Sequence, residues 1–211
     1  GVNIFDVNIN DFIKMNTRYA RLEKNENNPL ISSIRYLWIS KTDNIENKVL
    51  PNLKKDNFLY QKVYSLIVYS LGLAENAISY LQDISIDYGD MIEEVALSHK
   101  RINEISSYEL LNPFNLILDS PMRDVADLIK LGAIDKSNLE SVLSNYNMNA
   151  KNASLLLARI IYPSYLFDLL EEHFITKKDI KKDVIKYYNQ ISKCEENLQF
   201  IHSYLVNRYG I

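Results

Sequence analysis

A histidine and an aspartate, each closing a short apolar run, are the residues of this sequence best placed to do chemistry. His99 ends "EEVALSH" (93–99), and Asp119 ends "FNLILD" (114–119), with "SPMRDVADLIK" following at 120–130. An aspartate where a buried strand stops presents its carboxylate at the strand end. It can hold a hard cation such as Mg²⁺ through an oxygen and offer it to phosphates. With His99 closing a neighbouring strand, two polar strand ends side by side would give the geometry of a phosphotransfer site. The same residues also support a structural reading, in which Asp119 caps a helix beginning at Ser120-Pro121. On residue types and spacing alone the structural reading is favoured.

The remaining reactive residues read mostly as structure. Cys194 is the single cysteine, so an internal disulfide is excluded, and it is expected as a free buried thiol. One cysteine with three scattered histidines cannot build a tetrahedral thiolate zinc site. His173 and His202 have no acidic or cysteine partner at ligand spacing. Glu75-Asn76, inside an apolar helix, is expected as a buried hydrogen-bonded pair. Arg123 is expected to pair with Asp119 or Asp127. Tyr162, Tyr165, Tyr187 and Tyr188 could line a groove for a cation, but packing between helices is favoured for them. "TKKDIKKD" (176–183) reads as a solvated face.

The elements that must position these residues are nearly all helical. Leading helices are expected over 8–50. Ile9, Phe12, Ile13, Tyr19 and Leu22 mark a face of 8–22, "NENNP" (25–29) breaks the pattern, and Ile31, Ile34, Trp38 and Ile45 mark a face of 30–49 before Pro51. Residues 58–82 form a helix apolar nearly all round, expected to be central and buried. "DISIDYGD" (83–90) reads as a turn with a short extended piece. Short strands and loops occupy 93–119. Helices resume at Pro121, where a proline opens a helix well. They continue over 136–147, 149–161, 163–174 and 177–208, the last capped by Thr176 or Asp179. The fold class is therefore mainly α with a small β hairpin region, in a single unit. Strands do not alternate with helices, which excludes a doubly wound sheet.

Composition narrows the function classes. The chain has 211 residues, 47% hydrophobic, with only five glycines, ample for a sizeable core. A net charge of −3 gives no basic field for nucleic acid or an anionic membrane. The longest apolar runs, near Leu155–Ile161, are too short to span a membrane. The first twenty residues lack the basic start and apolar stretch of a signal peptide. The expected location is cytoplasmic. The chain begins Gly1-Val2, and it is read as a fragment.

In order and spacing, "LGLAENAISYLQD" (71–83), "ALSHKRI" (96–102), "LDSPMRDVADLIK" (118–130) and "LARIIYPSYLFDLLEE" (157–172) resemble one superfamily. It is the aminoglycoside phosphotransferase and choline kinase superfamily, which has the protein-kinase-like fold. Within it the chain is most similar to the spore-coat kinase-like proteins of Firmicutes, of the CotS and YutH type. "RYLWISKTDNIE" (35–46) matches more loosely. The resemblance implies a C-terminal kinase lobe, with the N-terminal lobe absent from this chain. The glycines agree: Gly1, Gly72, Gly89, Gly132 and Gly210 are too scattered to form a phosphate-cradling loop.

The departures from that family are specific. Its active members carry an aspartate two positions after the histidine, and a metal-binding asparagine five residues later. Here the first position is Arg101, a guanidinium that cannot act as a base at any working pH. The second is Ser106, a poor ligand, with Asn103 out of register. Of the metal set only Asp119 aligns, and it is followed by Ser120-Pro121. Asp124 and Asp127 match the family's structural helix start, where their charge stabilises a helix N-terminus by about 0.3–1 kcal/mol each. A base worth about 10²–10⁴-fold in rate is missing.

Two functional readings follow. The first is a non-catalytic pseudokinase: a structural or interaction protein, associated with the spore coat, that needs no cofactor and whose partner is another protein. The second is an ATP- and Mg²⁺-dependent small-molecule phosphotransferase, of which this chain is the C-terminal lobe. The degenerate loop of His99, Arg101 and Ser106 favours the first; Asp119 is the metal candidate for the second.

Overall fold

"SLLLARII" (154–161) sets the architecture, because a segment apolar on every side has to be surrounded. The computed structural model describes residues 12–13, 29–53, 58–146 and 148–211. In chain order the elements are α1 (Ile31–Asn44), α2 (Phe58–Tyr88), β1 (Ala96–His99), α3 (Ser107–Leu110), β2 (Leu116–Asp119), α4 (Met122–Lys130), α5 (Lys136–Asn145), α6 (Ala150–Ile161), α7 (Ser164–Thr176) and α8 (Lys181–Tyr209). The protein is mainly α, with one two-stranded antiparallel ladder among the described residues. The predicted helix over 8–22 and most of its break lie outside the described residues, apart from Phe12, Ile13 and Pro29.

Helix α6 is the central element. Every residue from Lys151 to Ile160 is buried. Leu155 and Ala158 face an apolar cluster shared with α1 and α2. Ala153, Leu156, Leu157 and Ile160 face a second cluster shared with α4, α5 and α8. The expectation that the 58–82 helix would hold this place is corrected. Helix α2 runs on through 83–88 and presents Tyr64, Val68, Tyr69, Glu75, Asn76 and Ile86 to solvent. Its tyrosines account for the error, since each reads as apolar yet can keep its hydroxyl in water. Glu75 and Asn76 are therefore not a buried pair.

A helix buried on all sides must have its polar groups satisfied. The Lys151 ammonium donates to the carbonyls of Tyr88 (3.1 Å) and Met91 (2.6 Å), capping the end of α2. Asn152 donates to Glu94 at 2.7 Å. The Asn149 side chain accepts from the Asn152 amide and caps α6.

The start of α1 is held by the chain that leaves α2. Leu30 bridges Met91, and the Asp90 carboxylate accepts from the Ser32 amide (2.7 Å) and hydroxyl (2.6 Å). Gly89, at φ +80°, lets the chain turn into this position. Trp38 of α1 stacks on Tyr162 just past α6, with centroids 4.0 Å apart and planes 6° from parallel. Such a pair is worth about 0.5–1.5 kcal/mol beyond its buried area. Helix α1 ends in a π-helical turn (Ile45–Val49) and a 3-10 turn containing Pro51.

No single helix among the described residues is long and apolar enough to cross a membrane. The bent pair α6–α7 has the combined length and apolarity, but α6 is wholly interior.

Candidate functional site

The two strands that carry the candidate residues are antiparallel, with His99 opposite Leu116 and Asp119 opposite Ala96. The strand ends predicted to lie side by side are therefore at opposite ends of the ladder. Three residue steps separate them, about 10 Å of strand. The sequence shows where strands stop; it does not show their relative direction.

His99 is buried and bound on all sides. Its amide donates to Asp124 Oδ1 at 2.8 Å, and Nδ1 lies 2.8 Å from Asp124 Oδ2. Nε2 lies 3.0 Å from the Leu110 carbonyl. Burial alone would lower the imidazole pKa, but the Asp124 carboxylate raises it above the ordinary histidine value. Asp124 thus clamps the end of β1 onto α4, which gives that carboxylate a structural task. The Phe12 ring lies 5.7 Å from the imidazole.

Arg101, two residues on, points at α7. It donates to Ser164 Oγ (2.6 Å) and to Asp168 Oδ2 (2.7 Å), with Asp127 Oδ1 at 4.0 Å. Asp168 also pairs with Lys41 of α1. The position expected for a base is thus the cationic end of an ion-pair chain. Ser106, at the expected asparagine position, accepts from the Glu109 amide (3.2 Å) and donates to Glu104 (2.9 Å), so it caps α3. Asn103 is held by Glu109.

Asp119 sits between two guanidinium groups. Oδ1 accepts from Arg159 (2.7 Å) and from the Ser120 amide (2.6 Å), and Oδ2 accepts from Arg123 (2.5 Å). Arg123 also donates to the Lys100 carbonyl. Burial would raise the Asp119 pKa, but Arg159 and Arg123 together hold it below the usual carboxylate range. The helix cap next door comes from Ser120, whose hydroxyl accepts from the Met122 amide (3.2 Å). Asp119 therefore neither caps that helix nor presents a vacant oxygen.

Asp127 completes the group. Its Oδ1 lies 3.3 Å from Lys130, and its Oδ2 accepts from the Ile102 amide at 3.2 Å. Burial would raise its pKa, but Lys130 and Arg101 lower it. Burial pulls the Lys130 ammonium below the ordinary lysine value, against Asp127.

The donor set does not suit Mg²⁺. At a phosphotransfer site Mg²⁺ is held through one or two free carboxylates, with phosphates and water supplying its other oxygens. Here the single strand-end carboxylate is neutralised by two arginines. Tyr162 and Tyr187 are buried between helices, Tyr165 and Tyr187 meet at 6.1 Å, and Tyr188 is exposed. Cys194 is free and buried, and burial pushes its thiol up to about 11.

Sequence reasoning missed Arg159, Asp168, Lys130 and Ser164. Arg159 had a signal, being the lone cation within "SLLLARII", where a charge has to find a partner. Asp168 and Ser164 carry no comparable signal, because they reach Arg101 only through the turn between α6 and α7.

A sequence model described as "Spore coat putative kinase YutH" matches residues 14–204. No curated protein and no solved structure matches the chain.

Proposed function

The chain belongs to that spore-coat kinase-like family, and from this premise we propose that it is a pseudokinase: a non-catalytic structural or interaction protein of the spore coat. On this reading the chain is a protein-kinase-like C-terminal lobe, and its working partner is another protein. The observation that carries the proposal is the state of Asp119. Each of its carboxylate oxygens lies against a guanidinium, where a catalytic site would need them for a metal ion.

The residue at the base position supports the same reading. Arg101 is paired with Asp168 and bonded to Ser164, so it contributes to packing α7 on the loop. It has no deprotonated form with which to accept a proton. The loop keeps its shape through ion pairs, and it lacks the acceptor that phosphoryl transfer to a hydroxyl uses.

A thermal-shift titration with Mg²⁺-ATP tests the proposal. A ligand at about 100 times its dissociation constant stabilises a fold by about 2.7 kcal/mol, a readily visible shift. The expected result is no saturable shift in the protein or in Asp119→Ala. A saturable shift in the protein that disappears in Asp119→Ala would overturn the proposal.

A further inference from the structure

Behind the Arg101 loop, between α2, the α6–α7 turn and α8, lies a cavity of about 70 Å³. Its walls are apolar, with Leu73, Leu131, Ile161, Ile191 and Leu198 among them. Arg101, Lys130 and Asp127 line its loop end.

The hydrogen-bonding capacity left over at that end consists of donors. Arg101 directs its two terminal nitrogens to Ser164 and Asp168, and its buried Nε–H has no partner. Lys130 donates to Ser164 Oγ at 3.1 Å and faces Asp127 at 3.3 Å, which uses two of its three ammonium protons. Asp127, the acid there, has one oxygen against Lys130 and the other on the Ile102 amide. Arg101 and Lys130 are thus met by Asp168 and Asp127, and the donors left without an acceptor are the Arg101 Nε–H and the third ammonium proton of Lys130. Glu195, which accepts from Tyr69 at 2.6 Å, also lines the cavity. A buried donor without an acceptor is costly, and an incoming anion removes that cost.

We propose that this cavity is a binding site for a short-chain carboxylate. The carboxylate accepts from Arg101 Nε–H and from Lys130, and the alkyl part lies on the leucine and isoleucine walls. The site goes beyond the scaffold reading and is independent of whether nucleotide binds. Arg101 then joins the loop to a ligand as well as to α7. Affinity rises about fourfold per methylene from acetate to propionate to butyrate until the cavity is full, as burial of a CH₂ dictates.

The test is a methyl-resolved NMR titration of the isoleucine-labelled protein with propionate, beside propionamide and propylamine. The expected result is saturable shifts at Ile161 and Ile191 with propionate, none at the remote Ile45, and little response to the amide or amine. Lys130→Gln, checked for its fold by circular dichroism, should weaken propionate about tenfold or more. Absence of saturable shifts at tens of millimolar propionate would overturn the proposal, leaving the cavity to water. Equal responses to all three probes would also overturn it, because the charge selection would be gone. Should Lys130→Gln fail to fold, the three-probe comparison in the unaltered protein still decides.

Discussion

The imidazole of His99 and the carboxylate of Asp124 meet at 2.8 Å, while the other ring nitrogen of His99 faces the Leu110 carbonyl at 3.0 Å. Both partners are acceptors when Asp124 is ionised. A neutral imidazole has one N–H and satisfies one of them; an imidazolium satisfies both. The geometry therefore favours the protonated ring over the neutral one, and the Asp124 carboxylate raises its pKa above the ordinary histidine value. The His99–Asp124 contact closes the loop over residues 99–110 and becomes an ion pair when the ring is protonated.

A dependence on pH follows. The His99 pKa is higher in the folded state than its unfolded value of about 6.5. Its contribution to stability is fully present below that unfolded value and is lost as pH rises through the folded one. Urea unfolding across neutral to alkaline pH should show stability falling, with the slope reduced in His99→Gln. An unchanged slope in His99→Gln would assign the pH dependence to other groups.

Asp119 and Arg159 are both almost fully buried, with side chains 6% and 8% exposed. Asp119→Asn leaves Arg159 as an uncompensated interior charge, which should cost about 3–5 kcal/mol. Adding Arg159→Met should recover roughly half of that loss or more, because the orphaned charge is gone. Chemical denaturation of the single and double variants measures this. Additive losses in the double variant would mean that the pair is not coupled.

Placing an aspartate at position 101 should not create a kinase. Arg101→Asp removes the bonds to Ser164 and Asp168 and sets a third acid beside Asp127 and Asp168. Because Asp168 is about one-third exposed, solvent screening limits the loss of that pair to about 0.2–1 kcal/mol. The expected outcome is a lower melting temperature with no ATP consumption. Measurable phosphotransfer by Arg101→Asp would mean that position 101 alone had silenced the site.

Asp90 works at a distance along the chain, capping α1 from the end of α2. Asp90→Ala should cost about 1–2 kcal/mol, as for other N-cap losses. Hydrogen exchange should speed up at Ser32 and Ser33, with α8 unchanged. Burial would raise the Asp90 pKa, but its bonds to Ser32 lower it. This cap is therefore present above the unfolded aspartate value of about 3.9 and is lost as pH falls through the folded one.

Much of the fold was legible because helical periodicity and proline positions are local signals. The helices after Pro121 and the two short strands at 96–99 and 116–119 fall where apolar runs and breakers put them. The central element was misread because tyrosines counted as apolar made α2 look buried, while the shorter α6 is the one enclosed. At the site, the Arg123–Asp119 pair was readable from its i, i+4 spacing. The Arg101–Asp168 pair was not, since 67 residues separate its members and only the α6–α7 turn brings them together.

The most direct measurement follows Mn²⁺-ATP as a paramagnetic probe near Asp119. Ala96 lies across the ladder from Asp119, and Met122 is three residues beyond it. Arginines in place of a metal ion predict that the methyl signals of Ala96 and Met122 stay sharp as Mn²⁺-ATP is added. Broadening of those two signals that vanishes in Asp119→Asn would place a metal ion at Asp119 and contradict the account.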